Sequence, residues 1–241
     1  MGTDGQLLGK WRLGNNPSLL SMYDWEDIAV QPGSNGPGIL WMGDIGDNTA
    51  RETKGREGRK NIKVMRAIEP TVIDNGGTVP GTLGDITVFE FTYPERPYDA
   101  EALTIDPVTG DLYFFTKVLG EKALVFVARA PVKSGQLEEI GTIDMPWITA
   151  ADFTADGGEL IVRNYLFAFH WERAESQSWR EVIAGEPTPV PLILERQGES
   201  IGFVHDASGF FTISEGRSVP IYFYERNCQS NENYDVEPNQ L

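Results

Sequence analysis

Three hydrogen-bonding side chains fall within five residues in GDIGDN, Gly43 to Asn48: Asp44, Asp47 and Asn48, separated by Ile45 and Gly46. Carboxylates and an amide at this spacing can hold a hard cation, and the two glycines let the backbone approach it closely. The same residues also suit an ordinary acidic turn. The choice depends on which other side chains the fold brings to this loop.

Those partners emerge from a repeat. Four segments share a short pattern: DWEDIAV (Asp24 onward), DAEALTI (Asp99), TAADFTA (Thr149) and QGESIGF (Gln197). Each is followed by a turn and an apolar run: GILWMGD, GDLYFFTK, GELIVRN and GFFTISEG. A third run follows in each unit: IKVMRAI, ALVFVAR, LFAFHWE and PIYFYER. A fourth appears in three units: ITVFEFT, QLEEIGTI and a weaker WREVIAG. The runs are short, rich in β-branched and aromatic residues, and bounded by Gly, Pro and Asp, so they read as strands. Four antiparallel strands per unit, repeated about every fifty residues, describe an all-β fold, a β-propeller. The expected blades are residues 14–93, 94–144, 145–195 and 196–226, with an N-terminal strand over 5–13 and a polar tail over 227–241. Two readings of that N-terminal strand stand. It closes the fourth blade, or it is the last strand of a further blade in a truncated five-bladed propeller.

Propeller geometry turns the repeat into a site. The start of each inner strand and the end of the next strand share one face, near the central channel. The starts supply Glu26, Asp27, Glu101, Asp152 and Glu199. The ends supply Asp44, Lys117, Arg163 with Asn164, and Glu215. A ring of carboxylates cannot stay fully charged and unpaired, so it shifts its pKa values, pairs with bases or binds a cation. Oxygen donors in this number suit calcium. The expected metal set is Asp44, Asp47, Asn48, Asp27, Glu101 and Asp152. Lys117, Arg163, Glu215 and Trp25 form the expected ligand-binding set, and Glu26 and Glu199 are the candidates for acid–base catalysis. Trp25 is either a ligand platform or packing between blades.

Composition narrows the partners. Among 241 residues, 36 Asp and Glu face 20 Lys and Arg, a net charge of −16. Such a surface repels nucleic acid and anionic membranes, and no apolar run is long enough for a membrane-spanning helix. The expected partner is a small-molecule anion or a protein ligand, bound by a monomer. Cys228 is the only cysteine, so no disulfide forms within the chain. The start, MGTDGQLLGKW, lacks the basic and apolar regions of a signal peptide.

DWEDIAV, LWMGDIGDN, YDAEALTIDPVTGDLYFFTK and GESIGF followed by TISEG resemble a group of mostly bacterial, exported β-propeller proteins. That group is distantly similar to the phytase-like and WD40-like propellers, although the GH…WD signature of true WD40 repeats is missing. The resemblance implies the propeller fold, a secreted or periplasmic location and a further blade before the first. It leaves the activity open between three classes: a binding module with calcium in its mouth, a metal-dependent hydrolase of phosphoesters or esters, and a structural scaffold.

Three other features read as decoys. GESIG matches a nucleophile-elbow pattern, but Ser200 precedes a strand rather than a helix, and the only histidines, His170 and His205, fit no triad. RETKGREGRK (Arg51–Lys60) is a solvated basic loop or a lid over the mouth. DPVTGD and TADGGE are hairpin turns.

Overall fold

A computed structural model describes residues 6–14, 21–33, 36–52, 57–72, 78–120, 122–226 and 239–240. The chain is a β-propeller of four antiparallel blades. In chain order the elements are β1 (Gly9–Leu13), β2 (Trp25–Gln31), β3 (Ile39–Asp44), α1 (Asn48–Glu52), β4 (Ile62–Ile68), β5 (Val79–Leu83) and β6 (Thr87–Thr92). They continue with β7 (Ala100–Ile105), β8 (Leu112–Thr116), β9 (Ala123–Ala128), β10 (Gly135–Gln136) and β11 (Glu138–Ile143). Next come β12 (Ile148–Phe153), β13 (Glu159–Asn164), β14 (Phe167–Glu172), α2 (Trp179–Ile183) and β15 (Thr188–Pro191). The last are β16 (Gly198–Phe203), β17 (Gly209–Ser214), β18 (Ile221–Glu225) and β19 (Asn239–Gln240).

From the axis outward, the blades run β2-β3-β4-β6, β7-β8-β9-β11, β12-β13-β14-β15 and β16-β17-β18-β19. Alternation along each strand sends one set of side chains to each neighbouring blade, and these sets form the cores. Ile62, Val64, Phe91, Leu103, Phe114 and Phe126 pack the first blade on the second. Tyr113, Phe115, Phe153, Val162, Trp171 and Trp179 pack the second on the third. Ile161, Val190, Ile201, Phe210 and Tyr224 pack the third on the fourth. The inner strands pack in sequence, β2 on β7, β7 on β12 and β12 on β16. Among the described residues β16 makes no comparable contact with β2, so the ring has an open seam there.

Two sequence expectations need correction. The N-terminal strand does not close the fourth blade. β1 pairs in parallel with β5, from the long loop of the first blade, and Trp11 and Leu13 pack on Met42, Met65 and Leu83. The outer position of the fourth blade is held by β19, paired with β18 at Tyr222 and Phe223. The tail before it, with Cys228, lies outside the described residues. WREVIAG is not a strand either. Trp179–Ile183 is a helix capped by Ser178, whose side chain accepts from the Glu181 N–H while Glu181 reaches back to the Ser178 N–H. This capping box satisfies two orphan helix donors, and burial of Trp179, Val182 and Ile183 holds the turn against the blade. The fourth strand of that blade is β15, in the segment TPVP.

Candidate functional site

The four blades share one irregularity. Pairing of the first two strands slips once in every blade, between Trp25 and Ile28, between Ala100 and Ala102, between Ile148 and Ala150, and between Gly198 and Ser200. The residues in the slips are Glu26 with Asp27, Glu101, Thr149 and Glu199. A bulge leaves a residue out of the ladder and re-aims its side chain, and here it does so at the same end of each inner strand. The residue that follows each second strand is Ile45, Lys117, Tyr165 or Glu215. In the first, second and fourth blades the chain here folds back toward the residue just before the first strand: Gly46 N–H donates to Asp24 O, Lys117 N–H to Asp99 O and Glu215 N–H to Gln197 O. These two tiers form the mouth of the channel.

Lys117 is the hub of the mouth. Its Nζ lies 2.8 Å from Glu101 Oε2 and donates to the Tyr165 hydroxyl at 2.7 Å. Tyr165 also favours the ionised form of Glu199. Burial works against the Lys117 ammonium, but Glu101 and Tyr165 more than offset it and raise its pKa. Arg51, on α1, lies 3.1 Å from Glu101 Oε1. Its Nη1 is also 2.9 Å from Asp99 Oδ2, an ion pair without hydrogen-bond alignment.

Among the described residues Glu26 has no such base of its own. Burial first, then repulsion by Glu101, Asp24 and Asp99, push its carboxyl up to about 9, with Lys117 the opposing influence. Glu199 is raised too, by burial and then by Glu101, against the attraction of Lys117. Glu26 and Asp24 meet over Gly46. A Cβ there would collide with Glu26 Oε1 and come within 2.7 Å of Asp24 Oδ2, so only glycine lets both carboxylates close in. The Asn48 amide donates to Asp24 Oδ2 at 3.3 Å, while its carbonyl accepts from Arg51.

The rest of GDIGDN is satisfied by protein. Asp44 is fully buried, and the Arg59 guanidinium grips it with Nη1 at 2.9 Å from Oδ1 and Nη2 at 2.6 Å from Oδ2. Backbone N–H groups of Tyr23 and Asp24 donate to Oδ1 at 2.9 and 2.7 Å. Burial disfavours the Asp44 ion, but Arg59 and these N–H groups outweigh it and hold its carboxyl below the usual range. Asp47 accepts from Ala50 N–H at 3.1 Å and Arg59 N–H at 2.5 Å, and its own N–H donates to Asp99 Oδ1 at 2.6 Å. Asp99 is pushed up to about 6, chiefly by burial. Part of the basic run Arg51–Lys60 therefore supplies counter-ions for the acidic loop: Arg59 for Asp44, and Arg51 for Asp99 and Glu101.

The other expected site residues are dispersed. Arg163 has a side chain 0% exposed and points inward, pairing with Glu195 Oε2 at 2.7 Å and donating to Ser200 O at 3.0 Å. Gly198 covers it, and a Cβ at 198 would collide with the guanidinium. Glu215 is exposed and accepts from Gln197 at 3.1 Å. Trp25 is exposed beside Glu26. Asp27 and Asp152 do not join the mouth. Asp27 accepts from Leu103 N–H at 2.9 Å and Asp152 from Phe203 N–H at 2.8 Å, each bridging to the next blade. Burial raises Asp27 to about 8 and Asp152 to about 7. Asp152 opposes Ile161 in its hairpin, as Thr104 opposes Tyr113, so it stands beyond the bulge position that Thr149 fills.

Two mouth residues were not legible in the sequence. Tyr165 follows the second strand of its blade and carries no motif. Trp147 is exposed beside Tyr165 with ring centroids 6.1 Å apart. Its φ of 61° lies in the left-handed region that bulky side chains rarely adopt. Among the described residues no group of three or more His, Cys, Asp or Glu side chains forms a ready-made metal cage. No described helix is long and apolar enough to cross a membrane.

No protein-family model matches the chain, and no curated protein matches its sequence. Solved structures match in shape. A periplasmic gluconolactonase of Pseudomonas aeruginosa matches with a TM-score of 0.52 and 12% identity, over 89% of this chain and 56% of that one. The outer coat vertex of COPII on membranes matches with a TM-score of 0.48 and 7% identity, over 84% of this chain and 48% of that one. This chain thus spans little more than half the length of the gluconolactonase. At such identities the likeness is one of fold, and the fold is the propeller.

Proposed function

We propose that the protein is a binding module whose axial mouth takes a hard divalent cation of the calcium type, with a small-molecule or protein ligand above it. The observation that carries this reading is the charge balance of the mouth. Asp24, Glu26, Asp99, Glu101 and Glu199 converge there, and among the described residues Lys117 and Arg51 are the bases that face them. Among the described residues the Glu26 and Asp24 oxygens over Gly46 have few protein partners, the Asn48 amide on Asp24 Oδ2 being one, which makes this pair the nucleus of the cation site. Two protein carboxylates, completed by solvent or ligand oxygens, fit the loose coordination that calcium accepts and a weak, exchangeable affinity. Asp44 and Asp47, held by Arg59 and backbone, are then the frame of the site rather than its ligands. The exported-propeller group that DWEDIA and GDIGDN resemble supports an extracytoplasmic setting, where millimolar calcium would fill such a site. Calorimetric titration with calcium tests the reading. One ion per chain, lost in Glu26→Gln, supports it, and no heat at millimolar calcium removes it.

A hydrolase is the second reading, and one observation favours it. Glu26 keeps its proton up to about 9 beside the Lys117 ammonium, which is the state a general acid needs. The gluconolactonase of similar fold suggests a lactone as first substrate, and the phytase-like resemblance suggests a phosphoester. Turnover of either, lost in Glu26→Gln, would favour the enzyme. Turnover unchanged in that variant would remove Glu26 from the role.

A further inference from the structure

The seam between the first and fourth blades opens a second cavity, away from the mouth. In each hairpin the residue paired two places before the end of the second strand is Ile28, Leu103, Ala151 or Ile201. Leu103 is 0% exposed, Ala151 5% and Ile201 6%, whereas Ile28 is 55% exposed. Val30, on the same strand, is exposed as well. Both line an axial cavity of about 620 Å³, with Ile105, Phe153 and Phe203 on other inner strands. That size is typical of sites for small organic ligands.

The polar wall of this cavity is one-sided. Asp27, Asp152 and Glu69 line it, His205 is the one described lining side chain able to carry positive charge, and no Lys or Arg is among its described lining residues. The Asp27 oxygens accept from Ile28 N–H at 2.8 Å and Leu103 N–H at 2.9 Å. The Asp152 oxygens accept from Phe203 N–H at 2.8 Å and the Thr104 hydroxyl at 3.5 Å. Burial holds a proton on Asp27 near neutral pH, and a bound ammonium would displace it; once ionised, each carboxylate accepts about four hydrogen bonds and retains acceptor capacity toward the cavity. The Lys117 and Arg51 bases that serve the mouth do not line this cavity.

We propose that this cavity binds a small organic cation, with an ammonium group between Asp27 and Asp152 and an apolar body against Ile28, Val30 and Phe203. A hydrated metal ion would leave the apolar wall unused, and a neutral apolar molecule would leave two carboxylates without a counter-charge. An alkyl or aryl ammonium satisfies both. The site is independent of the mouth.

Benzylamine, protonated at neutral pH, is the direct probe, with benzyl alcohol as its neutral counterpart. Protein-observed NMR titration should show saturable one-to-one binding of the amine, with shifts at Ile28, Val30 and Phe203. The alcohol should bind about tenfold or more weakly, and Asp152→Asn, which keeps the acceptor for Phe203, should cost the amine a similar factor. Ser200→Phe should abolish binding by filling the cavity from its exposed rim without removing either carboxylate. Saturating calcium should leave the amine bound. Equal affinity for amine and alcohol, no saturation at about 10 mM amine, or displacement by calcium would each overturn the proposal.

Discussion

Two acidic clusters lie side by side at one end of this propeller, and they are solved in opposite ways. Around GDIGDN, Asp44 and Asp47 carry their charges into the protein, and Arg59 and a set of backbone N–H groups meet them there. In the mouth, Glu26 and Asp24, about twenty residues earlier in sequence, share a gap over Gly46, and among the described residues Glu26 has no base of its own. A paired carboxylate stabilises a loop. An unpaired one stays protonated or waits for a cation. The difference lies in the counter-ions, and these come from elsewhere in the chain.

The comparison breaks first if Arg59 is removed. Arg59→Ala leaves Asp44 buried without its counter-charge, and unfolding in urea should show a loss of about 3–5 kcal/mol. A loss below about 1 kcal/mol would mean that the loop is not held by this pair. Gly46→Ala should act on the other cluster. The added methyl meets flexible carboxylate ends, so stability should fall by about 1 kcal/mol or less, while calcium affinity falls about tenfold. Equal damage to both quantities would merge the two clusters into one structural unit.

The pH profile sharpens the contrast. Glu26, Asp27 and Asp152 are raised to about 9, 8 and 7 in the folded protein. The folded state therefore holds protons that the unfolded chain has released. Their contribution is fully present below the ordinary carboxylate range and is lost as pH climbs through 7 to 9. The melting temperature should fall across that interval, and Glu26→Gln should flatten its upper part. A profile unchanged in that variant would remove Glu26 as its source. The smallest effect belongs to Tyr165→Phe. Loss of the hydroxyl that accepts from Lys117 should cost about 0.5–1.5 kcal/mol by urea titration. A larger loss would make Tyr165 a pillar of the mouth.

Much of the fold was legible because apolar alternation and turn residues repeat in each blade. The inner three strands of every unit lie where DWEDIAV, GDLYFFTK or LFAFHWE read as strands. WREVIAG was misread because Trp179, Val182 and Ile183 look strand-like, although Ser178 and Glu181 carry the capping signal three residues apart. The site was legible only in part. Glu26, Glu101, Lys117 and Glu199 meet at the mouth. Asp152 was aligned two places off, because the bulge sets the register and leaves no mark in composition. Arg163 could not be told from a surface base, since its partner Glu195 lies 32 residues away. Arg59 sits in a run that reads as a solvated loop, and only the fold returns it to Asp44.

We propose that the mouth, and not the GDIGDN frame, is where a cation binds. Thermal unfolding in millimolar calcium against chelator, for the natural chain and Glu26→Gln, tests it most directly. A ligand held only by the folded state must raise the midpoint. The midpoint should rise in calcium for the natural chain and stay unchanged for the variant. An equal rise in both proteins, or no rise in either, would contradict it.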